Sequence, residues 1–175
     1  MILQKLVKQL RQFRTLHKWI GISLAFFILT SSITGLMLGW KKNIPLLQPK
    51  MYLGTSAQLA EWKSFDAIAI SAKHAIDSVT KRTIEIDRMD VRPDKGVVKV
   101  LFAEGYWEVQ VDGKTGKVFS VAQRHADWIE HIHDGSIISE FVKVVYTNII
   151  GIGLSILALS GLYLWYGPKV IRKMK

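Results

Sequence analysis

The chain has 175 residues, a formal net charge of +10 and no cysteine. The missing cysteines exclude disulfides, thiolate metal sites, iron–sulfur clusters and c-type haem attachment. The basic balance does not indicate nucleic acid, because the surplus positive charge is confined to the two ends, each beside a long uncharged apolar run.

Residues 1–18 predict an amphipathic helix. Leu3, Leu6, Val7, Leu10, Phe13 and His17 recur at helical spacing, with Lys5, Lys8, Arg11 and Arg14 on the other side. The pattern is that of a helix lying in the membrane interface on the cytoplasmic side and then turning upright. The first apolar run, Trp19–Trp40, contains no Asp, Glu, Lys, Arg or His and is bracketed by tryptophans. A span needs about 20 apolar residues, more than a signal peptide supplies. The stretch before Lys41 and Lys42 is a poor cleavage site, so the run is expected to stay as an anchor. It carries Thr30, Ser31, Ser32 and Thr34, and Gly35-x-x-x-Gly39. Small residues of this kind let helices approach closely in lipid, either within the chain or with a second copy.

Residues 41–122 predict a small α+β domain. After an irregular stretch at 43–64, Ser64–Val79 has the apolar spacing of a helix. Alternating segments follow at Thr83–Val91, Val97–Phe102, Tyr106–Val111 and Lys117–Val121, separated by Gly-containing turns. They predict a meandering antiparallel sheet with one face covered by the helix. Residues 123–143 return to a helical pattern, with His125, Trp128, Ile129 and Ile132 on one side and a break at Asp134-Gly135. The second span is expected at Val144–Pro168, with Gly151-x-x-x-Ser155, Ser160 and Gly161, and ends in the basic tail 169–175. The expected fold class is therefore a membrane α-helical protein with two transmembrane helices around an α+β domain.

Charge sets the expected orientation. Every Asp and Glu lies between Glu61 and Glu140, whereas the ends hold Lys5, Lys8, Arg11, Arg14 and Lys18, then Lys143, Lys169, Arg172, Lys173 and Lys175. Basic residues beside a span stay cytoplasmic, so both termini are expected inside and the middle domain outside.

The histidines are the residues with chemistry to offer. His17 sits at the inner mouth of the first span, and His125, His131 and His133 sit just outside the second. A neutral imidazole there can serve as an axial haem ligand or can anchor the interface by hydrogen bonds. His17 and His133 are expected on opposite sides of a core about 30 Å thick, and so cannot share one iron within one chain. His131 and His133 are two apart and point different ways on a helix. A bis-histidine haem then needs a second copy or a partner. A metal reading of His125, His131 and His133, with Asp127, Glu130 and Asp134, does not match a standard zinc spacing. No nucleotide-binding loop or nucleophile arrangement is present, and whether the chain is an enzyme is left open.

Three stretches in order carry a family likeness. Leu16-His17-Lys18-Trp19-Ile20-Gly21 followed by Thr34-Gly35 resembles the first span of PepSY-associated transmembrane proteins. Glu108 to Val118, with Asp112-Gly113-Lys114-Thr115-Gly116-Lys117-Val118, resembles the closing hairpin of the PepSY domain. His131-Ile132-His133-Asp134-Gly135 resembles that family's histidine motif before the next span. The resemblance implies a bacterial inner-membrane protein with a periplasmic PepSY-like domain. Larger relatives, with four or more spans, include haem-b ferric-siderophore reductases. On that likeness His17 and His133 are the haem b ligands, with His131 beside them, and the process is iron or siderophore uptake, with a ferric siderophore as substrate. A two-span chain lacks the helices that complete a haem cage, so the expected unit is a homo-oligomer or an accessory subunit of a larger complex. The alternative is a non-enzymatic scaffold or regulator whose periplasmic domain binds a partner.

Overall fold

The computed structural model describes residues 2–174. These form two compact units, one of Met37–Ile129 and one made by the flanking ends of the chain.

The flanking unit is a pair of long helices, α1 (Ile2–Gly39) and α4 (Glu140–Lys173). Both are long and apolar enough to cross a bilayer. Ser139 caps α4, its hydroxyl accepting from the Val142 amide. The helices pack antiparallel along a seam with a seven-residue repeat. Leu10, His17 and Leu24 of α1 face Gly167, Ser160 and Gly153 of α4. Large side chains on one helix thus enter notches left by small ones on the other, the close-approach packing expected in lipid. The notches are tight: a Cβ at Gly153 would lie 2.1 Å from Leu24 Cδ1, and one at Gly167 would lie 2.4 Å from Leu10 Cδ2.

The structure differs from the sequence pattern at residue 18. α1 does not turn there but runs on without a break. The stripe expected to lie on lipid has a protein partner instead: Phe13 packs on Tyr163, with ring centroids 4.7 Å apart, next to the Leu10 and His17 contacts. For the same reason α4 continues through Pro168 to Lys173, where a basic tail was expected. Proline removes one helix hydrogen bond, but the last turns are held by Gly167 against Leu10 and by Lys169 over the Trp165 ring, 3.4 Å from its centroid. The small-residue motifs are also redistributed. Nothing lies within 4 Å of a Cβ at Gly39 or Gly151, and Ser155 is exposed. Gly153 and Gly167, together with Ser160, do the packing.

The middle unit holds α2 (Phe65–Thr80) and a four-stranded antiparallel meander, β1 (Ile86–Arg92), β2 (Val97–Phe102), β3 (Trp107–Asp112) and β4 (Val118–Gln123), in that order. The Ser64 hydroxyl caps α2 by accepting from the Ala67 amide, and Lys81 ends it in the left-handed region. Ile68, Ala72 and Ile76, one helical turn apart, are fully buried against Val98, Val100, Phe102, Val109 and Val111. This is the α+β arrangement the alternating pattern predicts.

The opposite sheet face is covered too. The irregular segment at 43–58 straps across it: Gln110 accepts from the Tyr52 amide and donates to the Lys50 carbonyl, and Thr55 bonds the Asp112 carboxylate. The strap is drawn in by glycines. A Cβ at Gly54 would lie 1.9 Å from the Gly96 carbonyl oxygen, and Gly96 itself takes φ +70°. Beneath the strap lies a buried charged row. Glu108 meets Lys99 at 3.4 Å and Arg124 at 3.5 Å, and accepts from Gln110 at 2.8 Å. Arg124 also pairs with Asp127 at 3.1 Å. Lys99 and Glu108 thus balance out of water, the condition for tolerating buried charge, with Arg124 and Asp127 partly exposed at the end of the row.

Candidate functional site

α3 (His125–Asp134) carries three of the expected histidines. It buries Ala126 and Ile129, whereas Trp128, expected on the apolar side, is largely exposed. Gly135, at φ +80°, ends it where the sequence places a break.

Within the flanking unit two imidazoles are held in the same way. His17 Nδ1 lies 2.8 Å from the Ser160 hydroxyl on α4. His133 Nδ1 lies 2.9 Å from the Thr34 hydroxyl and 3.5 Å from Ser31 on α1. Both principal hydroxyls also bond their own helix: Ser160 donates to the Leu157 carbonyl, and Thr34 donates to the Thr30 and Ser31 carbonyls. A hydroxyl hydrogen serves one acceptor, either the helix carbonyl or the imidazole Nδ1. With the hydrogen on the carbonyl, the hydroxyl oxygen accepts from Nδ1 and the imidazole lone pair lies on Nε2. Glycine lies beside both rings. His17 Cε1 would be 3.6 Å from a Cβ at Gly161, and His133 Cε1 would be 3.3 Å from one at Gly35. The two positions are 17 residues apart on α1, about 25 Å along the axis at 1.5 Å per residue. That is near the thickness of a bilayer core.

The other histidines have different surroundings. His131 Nδ1 meets the Ser136 hydroxyl at 2.5 Å. His74 is exposed on α2. His125 opens α3 in the middle unit. No group of three or more His, Cys, Asp or Glu able to hold a metal is found among the described residues. Asp134, next to His133, is fixed by its neighbours. Burial alone would raise its carboxyl, but the Ser136 hydroxyl and amide and the Lys143 ammonium outweigh burial and hold its pKa below the ordinary carboxylate value. The Lys143 contact is 3.2 Å.

The first-span motif, the hairpin and the pre-span histidine motif thus stand on one architecture, two long apolar helices around a small sheet domain. A family model described as the PepSY-associated TM region matches residues 14–173. The chain belongs to the PepSY-associated transmembrane family. A search of curated proteins finds no match. Family membership and the two long apolar helices make it a membrane protein in contact with lipid. In this PepSY-associated protein the hairpin motif works as a clasp. Asp112 accepts from the Lys114 amide and from the hydroxyls of Thr55 and Thr115. The partners of His17 and His133, Ser160 and Thr34, are each 99 or more residues distant in the chain; Thr34 stands in the first-span motif and Ser160 among the small residues of the second span, but neither pattern points to its histidine. A seven-residue spacing of Gly153, Ser160 and Gly167 was the available signal.

Proposed function

We propose that the protein is an inner-membrane electron-transfer component that holds haem b through His17 or His133 and serves iron or siderophore uptake. The observation that carries this is the shared pose of the two imidazoles, each with Nδ1 at hydrogen-bond distance from a hydroxyl that also bonds its own helix. That is the orientation an outer hydrogen bond gives to a metal-ligating histidine. The residues fit the group as single ligands, with glycine rather than a side chain beside each ring. Bound haem b would supply one-electron exchange between ferric and ferrous iron. The chain's own part is to fix the tautomer, aim Nε2 and keep the ring in a low-dielectric setting.

The separation of the two positions along α1 means that one haem takes only one of them from this chain. The second axial position falls to another copy or to a partner subunit. The outward side of α4, with Asn148, Gly151 and Ser155 exposed, suits that association. The charge distribution supports termini in the cytoplasm and the sheet domain in the periplasm. The link to iron rests on the likeness to larger haem-b siderophore reductases.

The test is the visible spectrum of the full chain purified in mild detergent. A Soret band that is lost in His17→Ala or in His133→Ala, with helicity unchanged, supports the reading. A colourless protein with intact fold overturns it and leaves the scaffold role. Orientation is tested separately: a thiol introduced as Lys114→Cys should react with an impermeant reagent on spheroplasts, and protection there would reverse the assignment.

A further inference from the structure

The two edges of the sheet are built differently. Among the described residues neither β1 nor β4 has a second strand beside it. β1 is defended in the usual way: Asp87, Arg88, Asp90 and Arg92 line it, and a register break interrupts it between Ile86 and Arg88. β4 shares the register break but not the charges. Val118-Phe119-Ser120-Val121-Ala122-Gln123 carries no charge and no proline. The break skips Phe119 in the pairing with β3, as that of β1 skips Asp87 in the pairing with β2. No backbone hydrogen bond reaches β4 from its outer side among the described residues. The strand is nevertheless firmly seated, with Val118 and Val121 packed on the α2 core and Phe119 stacked on Tyr52 of the strap, centroids 5.7 Å apart. A rigid, uncharged strand with a bare row of amides and carbonyls is the geometry of strand addition.

We infer that the outer edge of β4 receives an extended peptide strand from a partner protein, apolar at alternate positions and acidic at the end that meets Lys117. The charge end is set by the hairpin that precedes β4. Lys117 is exposed, and the Lys63 side chain lies against Gly116, its Nζ 3.4 Å from a Cβ there. Neither lysine has a carboxylate partner among the described residues, whereas the neighbouring Lys114 is neutralised by Glu61 at 2.8 Å. A second copy is a poorer occupant. Val118–Gln123 carries no carboxylate to set against Lys117 in antiparallel self-pairing. The site is independent of the histidines and stands whether or not haem binds.

The experiment uses the full chain in detergent and a fluorescein-labelled peptide of two aspartates followed by repeating Thr-Val. Saturable binding is expected, with slowed amide exchange over Val118–Gln123 and no change over Ile86–Arg92. N-methylation of alternate peptide nitrogens, which leaves the protein untouched, should abolish binding. Lys117→Glu should weaken it about fivefold, the size of one exposed charge pair. Absence of saturable binding, equal binding of the N-methylated peptide, or protection at β1 overturns the proposal. So does concentration-dependent protection of β4 without peptide, which would assign the edge to a second copy.

Discussion

His17 occupies a notch opposite Ser160, its Nδ1 2.8 Å from the serine hydroxyl, in line with Leu10 over Gly167 and Leu24 over Gly153. The histidine is therefore both a packing element of the helix seam and the only imidazole of that seam row.

Ser160→Ala removes the hydroxyl and leaves His17 Nδ1 without its partner. Interhelical hydrogen bonds of this kind are worth about 1 kcal/mol in a membrane, so the helix pair should weaken by about that amount. His17→Leu should restore it in the double variant, since an apolar side chain asks for no acceptor. Reversible unfolding of the helix pair in bilayer discs measures both. If Ser160→Ala costs the same with and without His17→Leu, the bond contributes nothing.

Gly153→Ala places a Cβ where Leu24 Cδ1 now sits, at 2.1 Å. Overpacking of this kind costs about 1–3 kcal/mol, and Leu24→Ala should recover part of it by vacating the notch. Gly151→Ala, with nothing within 4 Å, should be neutral for the folded monomer. The pair of glycines two residues apart makes an internally controlled comparison by thermal unfolding in detergent.

Glu108→Gln leaves the buried Lys99 without its carboxylate and Arg124 with Asp127 alone. Breaking a buried pair by removing one partner costs about 3–5 kcal/mol. The middle domain should lose its cooperative transition, whereas Glu104→Gln, at an exposed turn position, should not affect it. Denaturant titration followed by tryptophan fluorescence separates the two.

Acid should open the strap before it opens the helix seam. Burial alone would raise the Asp112 carboxyl, but the hydroxyls of Thr55 and Thr115 and the amides of Lys114 and Thr55 outweigh it and hold the pKa below the ordinary value of 3.8. A carboxylate depressed in the folded state binds protons more readily when unfolded. Its contribution is present in full above the unfolded value, and is lost as pH falls below about 4 toward the folded one. Asp112→Asn should flatten that acid limb; an unchanged limb would remove Asp112 from the account.

The elements that rest on local periodicity were legible from the residues alone. Ile68, Ala72 and Ile76 mark their helix face, and the alternation around Val98–Val100 and Val109–Val111 marks the sheet. The acids clustered between Glu61 and Glu140 also separate the charged middle from the apolar ends. What could not be read was pairing across distance. Residues 43–58 have no period to betray that they strap a sheet face, because their bonds are backbone to side chain, as from Tyr52 to Gln110. The motif Gly151-x-x-x-Ser155 looks like a packing surface, yet the inward residues are Gly153 and Ser160, a face apart. The motif shows that helices can approach there but not which neighbour they meet. The histidines were identified by type, but the hydroxyls that bond them belong to helices far off in the chain.

The seven-residue interlock of α1 and α4 has a mechanical consequence. Sliding one helix along the other would drive Leu24 out of the Gly153 notch and into bulkier neighbours until a whole repeat had passed, about 10 Å at 1.5 Å per residue. No small axial creep is allowed. The two helices form a strut rather than a piston, and any message crossing the bilayer through them must travel as a tilt or rotation of the whole rod.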